Sequence, residues 1–186
     1  MSELAQKDNE NTNDSQRDFK MRDNSVLKEL LSLVLKLGVI IVVLLLVFTL
    51  IFGLYRGEDS SMSPTIEDSD IVMYYKLNKQ YSARDTVLVK FEDKLQVRRI
   101  IATAGDEVDI SEEGLLINGA LQQEEQIYTK TRLYAEGVEF PLSVGEQQIF
   151  VLGDNREYSV DSRMYGVVDI QDTMGKVMAV LKRGSV

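Results

Sequence analysis

The stretch Leu37–Tyr55, "LGVIIVVLLLVFTLIFGLY", runs for 19 residues without a charge. As an α-helix it would cover about 28 Å, the thickness of a bilayer's hydrocarbon core. A buried core helix of that length would show a polar face, and none is present. A cleaved leader would have a shorter apolar region closed by a small-x-small site, and the 36 residues before Leu37 are too many for its charged start. The run therefore reads as a transmembrane helix. Leu27, Leu30, Leu31, Val34 and Leu35 fall at helical spacing and extend it back through an interfacial turn.

This segment divides the chain into a tail (1–24), an interfacial turn plus membrane helix (25–55) and a C-terminal domain (56–186). The tail is polar, almost free of aliphatic residues, and reads as disordered. Arg17, Lys20, Arg22, Lys28 and Lys36 precede the apolar run within twenty residues, whereas Arg56 is the only basic residue in the twenty that follow it. The positive-inside rule then places the N-terminus in the cytoplasm and the domain from Arg56 onward outside, in a single-pass cell-membrane protein.

The formal charge is −9, and residues 56–186 hold 15 Lys+Arg against 23 Asp+Glu. Bulk charge thus gives no basis for binding nucleic acid. With no cysteine and no histidine, disulfides, thiol nucleophiles, Cys/His zinc sites and imidazole-based triads are excluded. A nucleophilic site here would need Ser or Thr with a base other than His, and no metal or cofactor is expected.

The outer region carries short β-rich segments: "DIVMYYKL", "DTVLVKF", "LQVRRIIATA", "DEVDI", "LLINGALQ", "QQIFVLGD", "YGVVDI" and "GKVMAVLK". Turn residues separate them, and Asn118-Gly119 reads as a tight hairpin turn, so the domain is expected to be all-β. Two segments stand out: "SSMSPT" (Ser60–Thr65), soon after the apolar run, and "GDNREYSVDSR" (Gly153–Arg163). Each read alone is a turn.

The order of Ser61-Met62-x-Pro64-Thr65, "RRIIATAGD" (Arg98–Asp106) and Gly153-Asp154-Asn155-Arg156-x-x-Ser159-x-Asp161-Ser162-Arg163 resembles bacterial type I signal peptidase, of the Gram-positive type. That resemblance implies a membrane-anchored β domain resting on the outer leaflet of the lipid bilayer and removing signal peptides from secretory preproteins. It implies Ser61 as nucleophile with Met62 beside it, Ser159 bonded to the base, and Asp161 and Arg163 as a supporting ion pair. It also implies Ile66 and Val97 as lining of an apolar pocket for the small residue before the cut.

Serine is a poor nucleophile until a base takes its proton, and without His a neutral lysine can serve. Lowering a lysine from its usual pKa to pH 7 costs about 4.6 kcal/mol, within what burial supplies. At the family's lysine position this chain has Arg98. Neutral guanidinium at pH 7 would cost at least about 7.5 kcal/mol, so Arg98 is no ordinary base. Two residues before Ser61, where relatives place a hydroxyl donor or a glycine, stands Asp59, whose carboxylate has no proton for an oxyanion. Two readings stay open: Asp59 and Arg98 pair and silence the site, or Asp59 faces solvent and Arg98 is a plain strand residue. Lys90 and Lys94 are the alternative bases. The functional expectation is a serine endopeptidase for signal peptides. Its alternative is a catalytically impaired binding factor in surface-protein or pilus assembly, with pilus subunits or the sortase machinery as partners.

Overall fold

The structure, a computed structural model, describes residues 28–124, 127 and 129–183. The tail expected over 1–24 lies outside the described residues. The described residues fall into two units with the boundary between Phe48 and Thr49. Helix α1, Lys28–Ile51, is long and apolar enough to cross a membrane, and its side chains are exposed from Lys28 to Leu50.

The helix stops four residues before the apolar run does. Phe52–Arg56 form strand β1, which pairs antiparallel with β2 (Ile71–Tyr75) in the register Phe52 to Tyr75 through Arg56 to Ile71. Tyr74 stands opposite Gly53 in this pair, and its ring lies so close that a Cβ on Gly53 would come within 2.2 Å of it. Hydropathy continues to Tyr55, but pairing with β2 decides the backbone.

Antiparallel pairing then builds a seven-stranded sheet from β1, β2, β3 (Thr86–Phe91), β4 (Lys94–Thr103), β9 (Gln148–Leu152), β10 (Val168–Asp169) and β11 (Thr173–Leu181). Their spatial order is β1-β2-β11-β3-β4-β9-β10. A smaller sheet has the order β7-β6-β5-β8, from β5 (Glu107–Ile110), β6 (Leu115–Ile117), β7 (Ala120–Leu121) and β8 (Leu142–Ser143). Asn118 and Gly119 make the β6–β7 turn with φ of 52° and 77°, the left-handed pair that a tight hairpin requires. The fold is thus a predominantly β domain with one N-terminal helix fit to span a membrane.

Alternation along the central strands sends side chains to both faces. Val87 and Val89 of β3 join Ile100, Ile149, Val151 and Val168, while Leu88 joins Met62, Ile66, Val72, Tyr74 and Val97. A third cluster, with Phe150 and Leu152 of β9 and Val108 and Leu115 of the small sheet, joins the two sheets. Because β3 and β4 are covered on both faces, the strand that carries Arg98 is held rigidly in register, Arg98 opposite Val87.

Candidate active site

The β1–β2 connection carries "SSMSPT" as a closed loop. Gly57 N donates to Asp70 O at 2.9 Å and Ser69 N donates to Gly57 O at 2.9 Å, so the loop's ends meet. Inside it Ser63 N donates to Ser60 O and Ile66 N to Met62 O, and the Ser63–Pro64 peptide is cis. Met62 and Ile66 are the loop's anchors, buried against Leu88 and Val97. Each such burial is worth about 1.5–3 kcal/mol. By packing into this cluster the two side chains hold the loop, and with it Ser61 beside Met62, against the core. Ile66 and Val97, the expected pocket pair, stand in that same cluster.

The Gly153–Arg163 segment is organised by one carboxylate. Asp161 caps the short helix α2 (Ser162–Tyr165) through Arg163 N and accepts from Gly153 N at 3.1 Å. It also holds the Arg163 fork, with Nε on Oδ1 and Nη2 on Oδ2, each at 2.9 Å. Both residues are fully buried, and Arg163 further donates to Arg156 O and lies over the Tyr134 ring at 4.4 Å. Arg156, also buried, is tied to Gly153 O, Thr131 and Glu124.

The two segments, some ninety residues apart in sequence, meet. Asn155 N donates to Ser61 O at 2.8 Å and Asn155 Nδ2 to Ser60 O at 3.3 Å. Gly153 sits in the junction: a Cβ there would lie 2.2 Å from Ser159 Oγ and 2.6 Å from Ser61 O. The hydroxyls of Ser61 and Ser159 are both buried without a hydrogen-bond partner.

Arg98 completes the cluster. Its guanidinium is 1% exposed; Nε and Nη2 donate to Val160 O at 3.1 and 2.9 Å, and Nη1 to Val97 O at 2.6 Å. Nη2 also stands 3.5 Å from Asp59 Oδ2, and Asp59 Oδ1 accepts from Ser61 N at 3.2 Å. Each of the two readings left open by the sequence finds one feature here: Asp59 stands within ion-pair distance of Arg98, and its side chain is 51% exposed to solvent. The carboxylate lies between Arg98 and the backbone N–H of Ser61. Burial, reinforced by Glu58 and Asp59, pushes the neighbouring Tyr55 phenol up to about 12, with Arg98 pulling the other way. Burial likewise pushes the Tyr165 phenol up against the opposing pull of Arg98.

A family profile described as "Signal peptidase, peptidase S26" matches residues 30–182. The chain belongs to the signal peptidase S26 family. The signal peptidase I of Bacillus licheniformis is 33% identical over 138 residues, covering 67% of this chain and 74% of that protein. The signal peptidase IB of Staphylococcus aureus is 30% identical over 168 residues, covering 81% and 88%. A crystal structure of a signal peptidase I from Enterococcus faecalis superposes with a TM-score of 0.45 at 24% identity, over 53% of this chain and 97% of that one.

Within this signal peptidase framework the alternative bases are poorly placed. Lys90 and Lys94 lie at the turn end of the β3–β4 hairpin, opposite Leu95 and Phe91, and both are solvent-exposed. Both sit at the surface, whereas Ser61 is buried. Sequence reasoning singled out neither Gly153 and Asn155 as the bridge to Ser61, nor Val160 as the Arg98 acceptor. Their motif named them only as turn residues. Tyr134, whose hydroxyl donates to Ser159 O at 2.5 Å, had no motif to announce it.

Proposed function

We propose that this member of the signal peptidase family binds the signal peptides of exported preproteins without efficient turnover, the Asp59–Arg98 pair holding its serine idle. The observation that carries the reading is the buried guanidinium of Arg98, standing where the family resemblance places a lysine base. Neutral arginine at pH 7 is dearer than neutral lysine by about 3 kcal/mol or more. Asp59 adds a second obstacle: its carboxylate accepts the Ser61 N–H and puts negative charge where an oxyanion would develop. Binding itself would use the loop at Met62 and Ile66 and main-chain pairing of an extended peptide. We assign the domain to the outer face of the membrane and the N-terminus to the cytoplasm, as the basic asymmetry around α1 dictates.

A second reading, the working serine endopeptidase, is favoured by one observation: Ser61 keeps a buried hydroxyl with no hydrogen-bond partner among the described residues. One assay separates the two. Detergent-solubilised protein is incubated with a fluorogenic signal-peptide substrate, as wild type, Arg98→Lys, Arg98→Lys/Asp59→Gly, and the last with Ser61→Ala. The binding reading expects a slow wild type and a gain of at least about a hundredfold in the double variant, from the cheaper neutral base. That gain should grow with rising pH and vanish with Ser61→Ala. A wild type that cleaves rapidly, and loses cleavage with Ser61→Ala, establishes the endopeptidase.

A further inference from the structure

Three arginines are buried to about 1% exposure, and two of them hold carboxylates tightly: Arg163 on Asp161 at 2.9 Å through both oxygens, Arg156 on Glu124. Arg98 differs. Its close acceptors are the neutral carbonyls of Val160 and Val97, and its ion-pair partner Asp59 stands at 3.5 Å with a side chain 51% exposed. A charge-assisted N–H···O bond is drawn in to about 2.7–2.9 Å. A desolvated cation therefore meets a loosely held carboxylate that belongs mostly to solvent.

What surrounds that carboxylate is a set of donors. Ser61 N–H donates to Asp59 Oδ1 at 3.2 Å, Arg98 Nη2 approaches Oδ2 at 3.5 Å, and the hydroxyl of that same serine is buried with no hydrogen-bond partner among the described residues. A guanidinium and a backbone N–H on the two oxygens, with an unpartnered hydroxyl on the same serine, make up a donor set that a carboxylate ligand requires. We propose that Arg98 and Ser61 form a binding site for the C-terminal carboxylate of a peptide, and that Asp59 is its internal stand-in, displaced when the peptide arrives.

This deepens the peptide-binding reading above and rests on it. An uncleaved preprotein presents a neutral amide at that point and gains nothing from a buried guanidinium. A cleaved peptide presents an anion. The class of reaction that supplies such an end is endoproteolysis, in which water adds its hydroxyl to the acyl carbon and its proton to the leaving amine. The chain would then act downstream of a cleaving peptidase, retaining the released peptide.

The test measures fluorescence anisotropy of a labelled synthetic signal peptide on the full chain in detergent micelles. The peptide is supplied as free acid, as C-terminal amide, and as an uncleaved form extended past the cleavage point. The wild type should prefer the acid. Asp59→Gly, on an exposed side chain, should tighten the acid by about tenfold relative to the amide, the gain expected from one charge-assisted contact freed of its internal competitor. Arg98→Gln should equalise acid and amide; if it fails to fold, Asp59→Gly alone still decides. Equal binding of all three forms in both wild type and Asp59→Gly overturns the carboxylate site and leaves the peptide-binding reading standing. Absence of binding by every form removes that reading and this inference together. Displacement of the acid by acetate at matching concentration overturns the assignment to a peptide terminus in favour of small free carboxylates.

Discussion

At the scale of single residues, the region is governed by where charge is buried and what answers it. Asp161 answers Arg163, the Gly153 N–H and the cap of α2 at once. Removing it strands a guanidinium that is 1% exposed. Breaking a buried pair from one side typically costs about 3–5 kcal/mol. Asp161→Ala should therefore lower the unfolding free energy by that amount, read as a fall in the urea midpoint at unchanged slope. A loss below about 1 kcal/mol would mean that the fork, though buried, is not what holds the loop. Arg98 obeys the opposite economy: its partner is long and exposed, so Asp59→Gly should leave the same midpoint within about 0.5 kcal/mol, as ordinary surface substitutions do. The contrast between these two variants measures how differently the fold treats its two arginine–aspartate pairs.

At the scale of elements, turns do the positioning, and one carboxylate joins two of them. Asp106, between β4 and β5, accepts from Thr103 N at 2.9 Å and from Asn118 Nδ2 at 2.9 Å, tying its own turn to the β6–β7 hairpin. The Thr103 N–H holds its pKa below the usual carboxylate range, burial opposing and Asn118 assisting. A carboxyl depressed on folding contributes stability above its unfolded pKa of about 3.9 and loses it as pH falls through the lower folded value. Asp106→Asn should accordingly be destabilising at neutral pH and should flatten the acid limb of stability below about pH 4, seen in denaturation midpoints across that range. This hairpin was legible in the sequence because Asn118-Gly119 is a local signal, and the longer strands were legible because their apolar residues are contiguous or alternate. β1 was not, since Phe52–Tyr55 continue the hydropathy of α1 and only pairing with β2 makes them a strand. β8 and α2 are too short to leave a periodic pattern. The site was legible where it is written in consecutive residues, in Ser61, Asp59, Arg98 and the Gly153–Arg163 segment. It was illegible where it depends on distant partners, as with Tyr134, Thr131 and Glu124, which brace the late loop from outside the strands and helices.

At the scale of the whole molecule, the reading of a peptide site has meaning only if the domain lies where exported peptides emerge. The argument for that placement is electrostatic and comes from the flanks of α1. Five basic residues, Arg17, Lys20, Arg22, Lys28 and Lys36, precede its apolar run, and Arg56 alone follows within the same reach. Lys and Arg in short flanking segments resist translocation, whereas acidic residues contribute little, so the net negative charge of residues 56–186 does not oppose their export. The segment before α1 should stay in the cytoplasm and the β domain should face outward. Protease added to intact protoplasts expressing the chain, tagged at both ends, should remove the C-terminal tag and digest the domain while sparing the N-terminal tag; lysis should expose both. A loose N-terminal tag could mimic one half of that pattern if cells leaked, so a cytoplasmic enzyme must remain intact in the same sample. Protection of the C-terminal domain under those conditions would put Ser61 and Arg98 on the cytoplasmic side. There no translocated peptide reaches them, and the binding and cleaving readings would fall together.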